Sequence, residues 1–176
     1  MKSVKVTFFV LLFICTLTAC FHPGQSNRSL FSDNVSIADA SVDEFVGAIR
    51  SNDSQAITSM FSPNVQEKCN DLDVNSLRLV EVISELITEH STTKENGVGA
   101  EVKQAGGKRT KVLDYAFNIQ TNDALYYIWV RECVVDELDA NNIGLLTLHI
   151  ISSENWPYDY VFRGNGTQTP GVVFVE

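Results

Sequence analysis

The residues able to do chemistry are few and scattered. Cysteines stand at Cys15, Cys20, Cys69 and Cys133, and histidines at His22, His90 and His149. None of these histidines lies near Cys69 or Cys133 in sequence, so a zinc site is not expected. "DLDVNS" opens like a calcium loop, with Asp71, Asp73 and Asn75 at alternate positions. Such a loop needs glycine at its sixth position and glutamate at its twelfth. Ser76 and Val82 stand there. The acids are better read as the start of a helix, where they cap free N–H groups and complement the dipole. "GVGAEV" from Gly97 has two of the three glycines of a dinucleotide loop and no flanking parallel strand and helix. No phosphate-binding loop and no G-x-S-x-G elbow occurs. Tyr115, Tyr127 and Trp129 are candidate pocket-lining residues, although aromatics on a sheet are ordinarily plain core. Asp114 is adjacent to Tyr115 on an alternating strand and would point to the opposite face. His149 would serve as a hydrogen-bonded structural side chain sooner than as a base. No catalytic residue, metal or cofactor follows from these patterns.

Cys20 is different, because of what precedes it. Lys2 and Lys5 are followed by "VTFFVLLFICTL", Val6 to Leu17, which is almost wholly apolar. Twelve residues are too few for a membrane-spanning helix, which needs about 20. They fit the apolar region of a secretory signal peptide. "LTAC" then closes the run and resembles the bacterial lipobox. That resemblance implies a diacylglycerol thioether on Cys20, cleavage before it and an extracytoplasmic domain anchored to a membrane; in a cell with two membranes the sequence leaves both open, the outer one included. The alternative is ordinary cleavage nearby, with Cys20 left as a free or paired thiol. Loss of residues 1–19, with Lys2 and Lys5, leaves 157 residues carrying 11 basic and 22 acidic side chains. Cys69 and Cys133 would then be the thiols left to pair in an oxidising compartment, or two buried thiols that never meet.

Composition narrows the classes further. The whole chain has 13 basic and 22 acidic residues in 176. A nucleic-acid binder needs a basic surface to replace phosphate counterions, so that class is excluded. Four Asn-x-Ser/Thr sequons, at Asn27, Asn34, Asn52 and Asn165, are read as chance beside a bacterial signal.

The elements that position these residues come in two blocks. Residues 20–36 read as a flexible tether of Pro, Gly, Ser and Asn. Ala38, Val42, Phe45, Val46 and Ile49 then recur at helical spacing, with Ser41 and Glu44 a possible capping box. Asp53 predicts the N-cap of a short helix with Ala56, Ile57, Met60 and Phe61 on one face. Ser62-Pro63 ends it and opens another turn. A third helix spans "DLDVNSLRLVEVISELITEH", with Leu77, Leu79, Val80, Val82, Ile83, Leu86 and Ile87 in one apolar stripe. Strands follow: Gly106-Gly107 predicts a hairpin turn, "KVLDYAFNIQ" alternates, and "ALYYIWVRECVV" and "IGLLTLHIIS" are long. The fold class is therefore α+β, with helices on one face of an antiparallel sheet. The domain is placed at residues 37–162, and 163–176 reads as an irregular tail with a possible short strand at "VVFVE".

The order "AIRSND", "MFSPNV", "DLDVNSLRLVEVI", "TNDALYYIWV" and "NNIGLLTLHI" resembles a family of small bacterial lipoproteins, domain-of-unknown-function family 5104. The resemblance covers roughly Asp39 to Ser152. Its most specific pieces are "FS" at Phe61-Ser62 and "N-x-G-L" at Asn142 to Leu145, and neither is a chemical motif. It implies an NTF2-like cone, a curved antiparallel sheet wrapped around the N-terminal helices, and brings no established activity. Enzymes of such folds, ketosteroid isomerases among them, use an Asp base with Tyr or acid donors inside the cone. Three functions compete on this reading: a lipid-anchored module binding a small ligand or an envelope protein, a small enzyme using the cone, and a structural adaptor of the envelope. A titratable group deep in the cone against aromatics would favour the enzyme.

Overall fold

A computed structural model describes residues 33–83, 87–90, 93, 97–155 and 169–175. Helix α1 spans Asn34–Arg50, and Asp33 caps it by accepting the Val35 N–H at 3.1 Å. The helix thus claims residues 34–36, which composition assigns to the tether, because Asp33 is an earlier cap than Ser41. Ser41 makes no capping box. It lies mid-helix on the face that buries Ala38, Val42, Phe45 and Ile49. Helix α2, Ser54–Met60, is capped by Asp53, whose Oδ1 accepts the Ala56 N–H at 2.9 Å. Ser62 caps α3, Pro63–Lys68, with proline at the first turn where no N–H is needed.

Helix α4 spans Leu72–Ile83 and buries Leu79, Val80 and Ile83. Leu77 and Val82 are exposed, although the sequence places them in the apolar stripe. Among the described residues the helix packs against α2, α1 and the last strand, which leave Leu77 and Val82 uncovered. Glu89 and His90 are not helical as the sequence suggests; they form strand β1, Glu89–His90.

The remaining strands are β2 (Val98–Ala105), β3 (Lys108–Gln120), β4 (Leu125–Asp136), β5 (Gly144–Ser152) and β6 (Gly171–Val175). Their order is β1-β3-β4-β5-β6, with β2 beside β1 on the same side of β3. All pairs are antiparallel except β5–β6. The fold is therefore α+β with a mostly antiparallel sheet. Gly106 and Gly107 make the β2–β3 turn with φ of +59° and +79°, angles that glycine adopts without penalty. Part of the expected irregular tail is sheet: Val172 is buried, and its carbonyl accepts from Asn75 Nδ2 at 3.2 Å. Arg78 lies over the Phe174 ring, 4.1 Å from its centre. No helix among the described residues is long and apolar enough to cross a membrane.

The helices cover one face of the sheet. Leu113, Tyr115, Phe117 and Ile119 of β3 share that face with Ile128 and Val130 of β4 and Leu148 and Ile150 of β5. Phe45 meets Phe117 edge to face with ring centres 5.7 Å apart. Each such pair adds about 0.5–1.5 kcal/mol beyond burial. The α2–α3 corner is stitched to the start of β5. Phe61 forms a parallel bridge with Leu145, and the Ser62 N–H donates to the Leu145 carbonyl at 3.0 Å. Asn64 Nδ2 donates to Asn142 Oδ1 at 2.6 Å. The two most specific sequence pieces, "FS" and "N-x-G-L", thus meet as one structural junction.

Candidate functional site

Strand parity decides which side chains can meet. On β4, the alternation that buries Ile128 and Val130 also turns Glu132 inward, opposite Leu113. Two residues further along β3, Tyr115 points the same way. Ser41 faces them from α1. Glu132 is 3% exposed, and Ser41 and Tyr115 are similarly buried. Glu132 Oε2 accepts from Tyr115 OH at 2.9 Å and lies 2.9 Å from Ser41 Oγ. The Ser41 hydroxyl also has the Ile37 carbonyl in reach at 3.2 Å. Lys111 lies on the same face of β3, and burial pushes its ammonium below the usual lysine range.

A buried carboxyl between two hydroxyls is chemically capable of proton exchange with a bound molecule. The same arrangement also satisfies a carboxyl that desolvation would otherwise penalise by several kcal/mol. Its three residues come from one helix and two strands, so it ties α1 to the sheet. This cluster is absent from the sequence reading. The available signal was one acid in "YYIWVRECVV" at a position in step with Ile128 and Val130.

The expected pocket lining does not assemble. Tyr115 pairs with Val130, whereas Tyr127 and Trp129 pair with Asn118 and Ala116. Tyr115 therefore sits on the helix-covered face, and Tyr127 and Trp129 sit on the other. One pocket cannot be lined by all three. Trp129 is opposite His149 on β5, and burial lowers the imidazole below its usual range. On this second face Arg131 clasps both oxygens of Asp114 at 2.9 and 3.0 Å and reaches Glu101 at 2.7 Å. Asp114 and Tyr115 point to opposite faces, as alternation requires.

Cys69 and Cys133 are both free thiols. Cys69 ends α3, and its Sγ donates to Asp71 Oδ1 at 3.1 Å. A Cβ on Gly171 would come within 2.6 Å of that sulfur, so the thiol packs directly under β6. Cys133 is buried opposite Gly144, with the Val135 carbonyl 3.5 Å from its sulfur. Burial pushes both thiols up to about 11, with a contribution from Asp71 at Cys69 and from Asp136 at Cys133. Cys20 and the segments around it lie outside the described residues.

The acids of "DLDVNS" are engaged in local bonds. Asp71 accepts from Asn75 Nδ2 at 3.2 Å, and Asp73 accepts from Thr58 Oγ1 at 3.0 Å. Among the described residues no group of three or more His, Cys, Asp or Glu side chains is arranged to hold a metal ion.

A family model described as "Domain of unknown function (DUF5104)" matches residues 44–153. The match takes in Tyr115 and Glu132, and also the junction of Ser62 with Leu145. No curated protein matches the chain.

Proposed function

The chain belongs to the DUF5104 family, and on that premise we propose that it is a lipid-anchored, extracytoplasmic domain of NTF2-like form that binds a ligand or an envelope protein. The observation that carries the anchor is "LTAC" at Leu17 to Cys20, directly after Lys2, Lys5 and the apolar run. On this reading Cys20 takes the lipid and becomes the first residue of the mature protein. Asp33, the cap of α1, lies thirteen positions after Cys20, a reach of at most about 45 Å. The NTF2-like form is supported by the order of helices before strands and by their packing on one sheet face.

Binding is preferred to catalysis because the interior carboxyl is closed off and committed to Ser41 and Tyr115. A second reading, an acid–base enzyme, is favoured by that same carboxyl lying against a tyrosine. The two differ in what Glu132→Gln does. As a tie, it loses roughly 1–3 kcal/mol of stability. As a functional group held at the expense of the fold, it leaves stability unchanged or raised. Urea unfolding of the two proteins decides between them.

The anchor is tested by feeding cells an alkyne fatty acid. The wild-type chain takes up label and sediments with membranes, and Cys20→Ala does neither. Labelling and membrane retention that survive the substitution reject the anchor.

A further inference from the structure

Among the described residues strand β2 is an edge of the sheet, paired only with β3. Its outward N–H and C=O groups meet no backbone partner among the described residues. Free edges template pairing with other chains and are ordinarily shortened, bulged or covered. The opposite edge is guarded in this way: β6 has five residues, and Asn75 takes the Val172 carbonyl. β2 has eight residues in unbroken register from Val98 to Ala105. Its middle carries Val102, 56% exposed, with Glu101 and Lys103 on either side.

That charge pattern is self-complementary. Let a second copy lay its β2 antiparallel to the first, with Val102 opposite the partner's Val102. Each Glu101 then stands opposite the partner's Lys103, and each Lys103 opposite the partner's Glu101. Centring the pair on Glu101 or on Lys103 instead sets like charges face to face, which is unfavourable. One register is selected over its neighbours. Glu101 is already oriented by Arg131 at 2.7 Å, and its bond to its own Lys103 at 3.0 Å has an equivalent across the axis. Gly99 and Ala100 add no bulk at the edge.

We propose that the chain self-associates as a two-fold dimer through β2, joining two sheets into one across Val102. A two-fold axis makes the same patch serve both copies. The proposal is independent of the lipid anchor.

The test uses the full chain purified in density-matched detergent. Sedimentation equilibrium is expected to show a concentration-dependent dimer. Val102→Lys sets like charges directly opposite each other and is expected to weaken that dimer about tenfold. Val102→Cys is expected to cross-link to itself on mild oxidation, well above the level of the parent chain. Lys108→Cys, beside the hairpin turn, is expected to stay at the parent level. Both positions are exposed, so the variants fold as the parent does, and circular dichroism checks this. A monomer at all concentrations, a dimer indifferent to Val102→Lys, or no cross-link at position 102 overturns the proposal.

Discussion

Tyr115 donates to a carboxyl buried beneath α1, so its hydroxyl carries a load that an exposed tyrosine would not. Tyr115→Phe leaves Glu132 short of one donor and is expected to cost roughly 1–3 kcal/mol, read as a lower urea midpoint. His149 gives a pH signature. Burial lowers its folded-state value below 6.5, so the unfolded chain takes up a proton first as pH falls. Stability contributed by the neutral ring is complete above about 6.5 and declines as pH drops toward the lowered value. Melting temperatures between pH 7.5 and 5 are expected to fall less steeply in His149→Gln than in the parent. The thiols add a third outcome at this scale. With Cys69 and Cys133 held up to about 11, alkylation near neutral pH is expected to be slow and to accelerate as pH rises. Mass spectrometry under non-reducing conditions is expected to find the two unlinked. Sequence gave no access to these environments. In the sequence Glu132 is one charge in an apolar strand, and its partners Ser41 and Tyr115 are set by the packing of α1 on the sheet.

The contrast among elements is clearest at two glycines. Gly47 sits in the last turn of α1, exposed, with open space where a Cβ would go. Gly47→Ala is expected to stabilise the protein by roughly 0.5–1 kcal/mol, because alanine has less backbone freedom to lose. Gly144 opens β5 at φ +128°, where a Cβ would meet the Ser62 N at 2.8 Å and the Met60 O at 2.9 Å. Gly144→Ala is expected to cost about 1–3 kcal/mol in backbone strain alone, with the crowding added to it. Thermal unfolding of the two variants should therefore move in opposite directions. The same junction explains why "FS" and "N-x-G-L" are distinctive without being chemical: they hold the α2–α3 corner to the sheet. Caps at Asp53 and Ser62 and the Gly106-Gly107 turn were legible because each is a local arrangement within a few residues. The buried stripe of α4 is narrower than its apolar spacing predicts, because periodicity says which residues share a side, not how wide a neighbour covers it.

On the scale of the whole molecule, the segment most informative about address lies outside the described residues, and the described domain is most informative about packing. The run from Lys2 to Cys20 is a linear pattern, read residue by residue, and the proposed anchor rests on it. The sequence by itself determined the class of the fold, helices first and strands after, since 3.6-residue and two-residue periodicities are properties of short windows. It also determined the helix caps and the hairpin turn. Tertiary structure alone decided that β6 runs parallel to β5 and that Tyr115 parts from Tyr127 and Trp129. It alone decided that Ser41 meets Glu132 from 91 positions away. Those outcomes depend on strand register and on which helix covers which face. Both are settled by burial summed over distant segments, and no short stretch of chain contains that sum.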